Sequence, residues 1–398
     1  AITRDDLGNV YRSMGDFAQA VASHQKALDL TRQAGGKPAD EAKILNNLGL
    51  AYEGSSKYPA ALEAYQQALE RFKALNQISN VTTTLTNISS IYINLGKFAE
   101  AEKNLQEALQ ISREIGSKRD EAAILNNVGA IRERLGQYPK ALDAYQQAAD
   151  IFLDLGDLSK QADMFNNIGV VYERLGQYPK ALEFFQKALL IRQSIGDRAG
   201  EGSSLNNIGT VYYKSQQYAK GLELYQQALK LAKDSGDRAG EAVTLNNLGT
   251  TRNKLGEFRQ AAELYQQTLT IRAEVGDRLG EAITLGNLGS AYHSLKAYPQ
   301  ALGFYQRSLG IARSLGDRQT ERVILANMGH LFREQSQPDL AIAFYKQSVN
   351  VTEAIRKDLR SLSRQDQESY TQTVATTYRN LADTLLSKGR VAEAQQVL

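Results

Sequence analysis

Residues 165–185 read FNNIGVVYERLGQYPKALEFF, and close copies of this stretch recur along the chain. The copy LNNVGAIRERLGQYPKALDAY begins at Leu125, and LNNLGTTRNKLGEFRQAAELY begins at Leu245. The second asparagine of each pair returns every 40 residues, as Asn47, Asn87, Asn127, Asn167, Asn207, Asn247, Asn287 and Asn327. Such an internal repeat predicts a chain that grows by stacking units and not by enlarging one core.

Two helical patterns follow one another within each unit. In a first helix, Leu205, Ile208 and Tyr212 share one face, and in a second helix Ala181 and Phe185 do the same. One pair of helices cannot bury both of its apolar faces, so neighbouring units must cover them. The pattern therefore predicts an all-α solenoid.

Turn residues separate these helices at constant positions. Gly176 suits the end of a first helix, and Pro179 suits the first turn of the second helix. After the second helix, Gly196 can adopt the left-handed cap conformation, and Asp197 can cap the next helix. Each unit is therefore expected to be a helix–turn–helix hairpin.

Composition excludes several classes of function. The chain of 398 residues has a formal net charge of only +3 and no Lys/Arg-rich run, which argues against a nucleic-acid-binding protein. It contains no cysteine, so disulfides, thiolate metal sites and a cysteine nucleophile are absent; this fits a cytoplasmic location. No apolar run approaches the roughly 18 residues that span a membrane. The first residues, AITRDDLGNVY, read as the inside of a helix, so we expect that the natural chain begins earlier.

The repeated residues resemble the tetratricopeptide repeat. The pattern is present even in the divergent first copy, as Leu7, Gly8, Tyr11, Ala20 and Ala27. The 40-residue units look like those of kinesin light chain and related bacterial proteins. The resemblance implies a right-handed superhelix of about ten hairpins. It also implies a non-enzymatic scaffold without a cofactor, whose concave groove binds an extended peptide or a partner's helix.

The predicted boundaries place nine tandem units in residues 1–358, the first of them truncated, and a long helix with a partial tenth unit in residues 359–398. This C-terminal segment resembles the one that precedes the caspase-like CHAT domain in bacterial repeat proteins. An alternative function is therefore that of a regulatory arm of a larger CHAT-type peptidase, whose catalytic domain is not in this chain.

The resemblance implies that the recurring second asparagine faces the groove and hydrogen-bonds a bound peptide's backbone. The alternative, that this asparagine bonds a neighbouring helix and fixes the stacking, stays open. The preceding position varies, being Asn46, Thr86, Asn126, Asn166, Asn206, Asn246, Gly286 and Ala326. Because a stacking role would favour invariance, this variation favours groove lining for Asn126, Asn166, Asn206 and Asn246.

A basic column shares the asparagine face in four successive units, at Arg134, Arg174, Lys214 and Lys254. Repeated cationic donors favour an acidic protein or peptide partner, and the alternative is an ordinary solvated surface. His293 and His330 lie on the same face, but no carboxylate stands at a ligand-like spacing, so no metal site is predicted. Uncapped ends of the solenoid favour self-association.

Overall fold

The computed structural model describes residues 2–55, 57–95, 97–358 and 364–397, which form helices joined by tight turns and contain no strand. The chain divides into two compact units, residues 1–164 and 165–398. The helices up to the division are α1 Ile2–Ser13, α2 Phe17–Gln33, α3 Pro38–Gly54, α4 Tyr58–Ala74, α5 Ile78–Asn94, α6 Phe98–Glu114, α7 Lys118–Arg134, α8 Tyr138–Asp154 and α9 Leu158–Arg174, which contains the division. The others are α10 Tyr178–Ser194, α11 Arg198–Lys214, α12 Tyr218–Ser235, α13 Arg238–Lys254, α14 Phe258–Val275, α15 Arg278–Ser294, α16 Tyr298–Leu315, α17 Arg318–Glu334, α18 Pro338–Asp358, α19 Arg364–Ser387 and α20 Val391–Val397.

Successive helices pack as hairpins in both units. In residues 1–164, α1 packs on α2, α3 on α4, α5 on α6 and α7 on α8. In residues 165–398, α11 packs on α12, α13 on α14, α15 on α16 and α17 on α18. Within each unit, second helices also pack on the next first helix, as α4 does on α5 and α12 does on α13. The prediction of an all-α solenoid built from helix–turn–helix hairpins is confirmed.

The turns follow the predicted chemistry. Gly176 and Gly196 have φ angles of +69° and +71°, in the left-handed region that glycine adopts without strain. Asp197 begins α11 by accepting a hydrogen bond from the backbone N–H of Gly200 at 2.9 Å. Proline stands in the first turn of α10, where its missing N–H costs no helical hydrogen bond.

A contact between a glycine and an aromatic ring closes most of the hairpins. An added Cβ at Gly209 of α11 would lie 2.8 Å from Cε1 of Tyr225 on α12, and the tyrosine side chain is fully buried. Gly169 faces the ring of Phe185 in the same way. Gly169 therefore makes room for an aromatic ring and not for a neighbouring backbone. The alanine position of the second helix does meet backbone, since a Cβ at Gly221 would lie 3.2 Å from the carbonyl of Gly209.

The C-terminal helices continue the stack. α18 packs on α19, and α19 packs on α20, while Leu381, Ala382 and Leu385 of α19 join the core around Tyr345. Asn380 holds in α19 the position that Asn327 holds in α17, one residue before a buried Leu381. Residues 359–363 and Leu398, which belong to the predicted C-terminal segment, lie outside the described residues.

Candidate functional site

One face of each first helix is left out of the core. On α13, Val243, Asn247, Thr250 and Lys254 follow one another at intervals of four, three and four residues, which places them on one face. All four are exposed or half-buried, whereas Leu245 and the small residues on the opposite side are buried. The same exposure pattern recurs on the other first helices, so each unit presents rows of equivalent side chains.

The asparagines of this face bond one another across successive repeats. The second asparagine of a first helix donates from Nδ2 to Oδ1 of the first asparagine in the preceding repeat. In residues 165–398 the pairs are Asn207 to Asn166 at 2.6 Å, Asn247 to Asn206 at 3.1 Å and Asn287 to Asn246 at 3.1 Å. We call these contacts amide rungs; they match the stacking role that the sequence left open.

Two further contacts of this kind lie in residues 1–164. Asn87 donates to Oδ1 of Asn46 at 3.3 Å. Asn47 donates to Oδ2 of Asp5 at 3.0 Å, because Asp5 occupies the first-asparagine position of the first repeat. The other carboxylate oxygen of Asp5 lies 2.7 Å from Nδ1 of His24, which fills the tyrosine position of that repeat and is fully buried.

The rung is missing where the preceding repeat lacks a first asparagine. Asn127 and Asn327 make no hydrogen bond within the described part of the chain. In the preceding repeats, the first-asparagine position is occupied by Thr86 and by Gly286, respectively. The Thr86 hydroxyl donates instead to the Thr82 carbonyl at 2.9 Å. A Cβ at Gly286 would lie only 2.5 Å from Cδ1 of buried Ile324, so a larger residue there would force the end of the isoleucine side chain to shift. The variable first position therefore decides whether a rung forms.

A rung uses only part of each carboxamide. Asn207 donates one N–H, and its Oδ1 makes no hydrogen bond to any described residue. The Asn207 side chain is half-buried and opens onto the same face as Val243, since both line one cavity. Asn126 is half-buried at the first-asparagine position of α7, and Asn167 is half-buried at the second-asparagine position of α9. Asn207 thus combines a stacking contact with amide groups that remain accessible.

The predicted basic column is partly neutralised. Lys214 and Lys254 are exposed at the ends of α11 and α13, as is Arg174 at the end of α9. Lys214 Nζ forms an ion pair with Oε1 of Glu173, which belongs to the preceding repeat. Lys254 forms no ion pair with the residues that the structure describes. The side chain of Arg134 lies outside the described residues.

Buried tyrosines of the second helices hydrogen-bond to threonines on the asparagine face of the first helices, a feature that the sequence analysis did not predict. Tyr225 donates to Thr210 Oγ1 at 3.1 Å, and Tyr265 donates to Thr250 Oγ1 at 3.1 Å. Burial raises the pKa of both tyrosines to about 12, although the threonine hydroxyls act in the opposite direction. These hydroxyls therefore stay protonated and hold the threonines in place. The signal in the sequence that could have predicted these contacts is a hydroxyl-bearing residue 15 positions before each tyrosine.

The two groove histidines have separate partners. His293 Nε2 lies 2.9 Å from Glu334 Oε2, while His330 lies between Arg333 and Asn380, each 3.1 Å from one ring nitrogen. Burial lowers the pKa of His330 below its usual value, and the positive charges of Arg333 and His293 lower it further. Among the described residues, no group of three potential metal ligands occurs.

The repeat model named "Tetratricopeptide repeat" matches residues 1–74, 80–154, 160–234, 201–274, 240–314 and 280–354. The chain therefore belongs to the tetratricopeptide repeat family, whose solenoids act as protein-interaction scaffolds. No curated protein matches the chain in sequence. Over its described residues, none of the helices combines the length and the apolar character that a membrane crossing requires.

Three solved structures illustrate the shared fold. Aspartyl phosphate phosphatase F from Bacillus subtilis is 15% identical in sequence and matches with a TM-score of 0.57. The match covers 88% of this chain and 93% of the phosphatase chain. The apo form of the quorum sensor NprR from B. thuringiensis is 14% identical in sequence and matches with a TM-score of 0.57. The match covers 88% of this chain and 97% of the NprR chain. A signal transduction ATPase with a tetratricopeptide repeat sensor, PH0952 from Pyrococcus horikoshii, is 16% identical with a TM-score of 0.53; the match covers 90% of this chain and 52% of that one. At these identities the similarity establishes the fold alone.

Proposed function

We propose that this protein is a scaffold that binds an extended peptide segment of a partner protein along the asparagine face of its first helices. The observation that carries the proposal is the ladder of carboxamides, in which three successive rungs use only part of each side-chain amide. A carboxamide offers a donor and an acceptor together, which is what a peptide backbone requires. Regular spacing of such groups suits an extended chain and does not suit a compact small molecule.

The ladder also prepares the site for binding. Each rung holds a long-range pair of side chains, so the amides are ordered before a peptide arrives. Ordering in advance reduces the conformational entropy that binding would otherwise cost. Stacking and peptide binding are therefore compatible roles for the same asparagines, including Asn47, Asn87, Asn207 and Asn287.

Charge favours a partner that carries carboxylates near the ends of α9, α11 and α13. Lys254 supports this because no described residue neutralises it, and Arg174 is exposed on the same column. Lys214 contributes less because Glu173 already pairs with it. The proposed ligand is thus an acidic peptide, with no nucleic acid, metal or membrane required. A cytoplasmic location, the absence of catalytic activity and association through the ends of the solenoid stay predictions.

The experiment is selection of peptides from a displayed random library against the purified chain, followed by affinity measurement. The informative variant is Asn127→Ala with Asn327→Ala, because neither residue takes part in a rung. Loss of peptide affinity in this variant cannot arise from loss of stacking contacts. Gln227→Ala, an exposed position on the second helix α12, provides the control outside this face.

We expect the double asparagine variant to weaken binding by roughly tenfold, as for two net hydrogen bonds of about 1 kcal/mol each or less. The Gln227 control should bind as the wild type does. A library that yields no binder, or binders that respond to Gln227→Ala and not to the asparagine variant, would refute the proposal.

The second candidate is a regulatory arm of a larger protein, as the C-terminal resemblance to CHAT-type proteins implies. A precedent for the arrangement is the Pyrococcus ATPase described as carrying a tetratricopeptide repeat sensor. An antibody against this chain should then detect a protein much larger than 43.9 kDa in the source cells. A band at the mass of the repeat chain alone would exclude a covalently attached catalytic domain.

A further inference from the structure

A single position near the end of the second helices distinguishes one repeat from its two neighbours. Arg192 on α10 and Arg272 on α14 occupy this position, and both are buried, with only 6% of their surface exposed. On α12, between them, the equivalent residue is Ala232. The middle repeat therefore lacks a guanidinium that the flanking repeats possess.

The structure shows how the flanking arginines are held. Nη1 of Arg192 donates to the carbonyl oxygen of Gly200 at 2.9 Å and to Ser204 Oγ at 2.9 Å. Nη1 of Arg272 lies 3.5 Å from Oδ2 of Asp277. In both repeats the guanidinium thus reaches across to the first turns of the next first helix. The acceptors there are a backbone carbonyl, a hydroxyl and the carboxylate of the capping aspartate.

The middle repeat keeps these acceptors without the arginine. Gly240 and Thr244 of α13 occupy the positions of Gly200 and Ser204, and Asp237 occupies the position of Asp277. Thr244 donates its hydroxyl hydrogen to the Gly240 carbonyl at 2.8 Å, which leaves lone pairs on Oγ1. Asp237 accepts from Gly240 N–H through Oδ1, which leaves Oδ2. Two acceptors, Thr244 Oγ1 and Asp237 Oδ2, therefore keep lone pairs to which no arginine of this repeat donates.

A cavity of about 400 Å³ takes the place of the missing side chain. Its lining includes Ala232, Gly240, Thr244 and Asp237, so it contains the acceptors. Asn206, Asn207, Val243 and Ser203 of the asparagine face also line it. The cavity therefore opens beside the amide rungs, where a bound peptide would pass. A wall of small residues and one face of acceptors suits a long aliphatic side chain that ends in a planar cation.

We propose that this cavity, the Ala232 socket, binds the guanidinium of an arginine side chain supplied by a ligand, in the manner of Arg192. The proposal rests on the proposed function in taking that arginine to belong to a peptide. The capture of a guanidinium by the socket can be tested without a peptide. An arginine at this point is compatible with an acidic ligand, because the two charges would contact different parts of α13. Lys254 lies 14 residues further along this helix, about 21 Å from Gly240.

The direct test is a titration of the full chain with N-acetyl-L-arginine methylamide as the probe. Binding is monitored through the backbone amide resonances of the protein in NMR spectra. We expect saturable shifts of the Gly240 and Thr244 amides. The neutral isostere, N-acetyl-L-citrulline methylamide, should bind roughly tenfold more weakly or not at all, because it lacks the charge-assisted hydrogen bonds. Equal binding of the two probes, or shifts confined to other regions, would overturn the proposal.

Ala232→Arg provides a matched variant, because the flanking repeats already accept arginine at this position. Its side chain should occupy the socket and abolish the probe-induced shifts, with an unchanged helical circular dichroism spectrum. Should this variant fail to fold, Thr244→Val removes one acceptor at nearly constant volume and should weaken the probe several-fold. Binding that survives in the folded Ala232→Arg variant would contradict the assignment.

Arg192→Ala extends the test to the neighbouring repeat. It should create a second socket, so the arginine probe should shift the Gly200 and Ser204 amides as well and raise the lowered melting temperature of this variant. Absence of such rescue would show that these acceptors do not capture a free guanidinium.

Failure of this proposal can be told from failure of the proposed function. If the arginine probe binds the socket but no library peptide binds the chain, the socket stands and the peptide scaffold does not. If selected peptides bind the asparagine face, and arginine-to-citrulline replacement in them changes nothing, the scaffold stands and the socket is refuted.

Discussion

Asn207 donates a side-chain hydrogen bond to Asn166 at 2.6 Å, linking first helices that are consecutive in the stack. Replacing Asn207 by alanine should destabilise the protein by about 1 kcal/mol relative to Asn127→Ala, because only Asn207 takes part in a rung. Alanine improves the helix propensity at both positions equally, so that contribution cancels. Chemical denaturation of the two variants measures the difference. Equal stabilities would show that the rung contributes nothing.

Two glycines of α11 should respond in opposite directions to alanine. A methyl group at Gly209 would press on the buried Tyr225 ring at 2.8 Å, whereas one at Gly202 would meet its nearest atoms, Ala228 O and Leu231 Cβ, at an ordinary 3.5 Å. We expect Gly209→Ala to cost about 1–3 kcal/mol, and more for leucine. Gly202→Ala should stabilise the protein by about 0.5–1 kcal/mol through helix propensity. Thermal unfolding of both variants tests the pair, and a stabilised Gly209→Ala would contradict the contact.

The buried tyrosines offer a similar comparison. The Tyr225 hydroxyl has a partner in Thr210, so Tyr225→Phe should cost about 0.5–1.5 kcal/mol. The Tyr345 hydroxyl is buried without a hydrogen-bond partner among the described residues, because His330 replaces the hydroxyl residue of that repeat and packs its ring edge-on at 5.4 Å. Tyr345→Phe should therefore leave stability unchanged or increase it. A larger loss for Tyr345→Phe than for Tyr225→Phe would be the contrary result.

Acid should weaken the region around His330. The pKa of this histidine is lower in the folded protein than in the unfolded chain, where it is near 6.5. The unfolded chain therefore takes up the proton first, so stability is fully present above pH 6.5 and falls as the pH decreases below that value. Hydrogen exchange of α17 and α19 at pH 7 and pH 5 should show this loss in the wild type and a smaller loss in His330→Gln. The charged neighbours His293, Arg333 and Glu334 are unchanged in that comparison.

The lysines of the basic column should differ in their effect on an acidic library peptide. Lys254→Gln should weaken binding more than Lys214→Gln, since Glu173 already neutralises Lys214. The effect of Lys254→Gln should shrink when the salt concentration rises, because exposed charges are screened. Titrations at low and high salt measure both effects. A salt-independent affinity, or a larger effect of Lys214→Gln, would argue against an acidic ligand.

The sequence predicted the hairpins because local chemistry determines them. Gly176, Pro179 and Asp197 each specify a turn or a cap within a few residues, and the structure places them accordingly. The amide rungs were harder to foresee, because each one joins residues 41 positions apart and depends on two repeats at once. Variation at the first position, which in the sequence favours tuning of the groove, also involves packing at Gly286, where a Cβ would press on Ile324.

The Ala232 socket lay beyond sequence reasoning for a different reason. Alanine in a helix is ordinary, and only the packing of Arg192 against the next first helix shows what its absence leaves open. Likewise, the links from Tyr225 and Tyr265 to groove threonines follow from the distance between two helices, which periodicity does not give. Contacts between helices, both within a repeat and between repeats, were the part that required a structure.

Gly286 has a consequence on the scale of the whole array. Within residues 165–398, rungs connect α9 with α11, α11 with α13 and α13 with α15, and none of the described asparagines bridges α15 and α17. Repeats in a solenoid are coupled mainly to their nearest neighbours, so their cooperativity depends on each interface separately. The step between α15 and α17 is bridged instead by the contact of His293 with Glu334. Unfolding that starts at the C-terminal end therefore meets its first amide rung between α13 and α15, so the helices from α17 onward are expected to separate first when the array melts or is pulled.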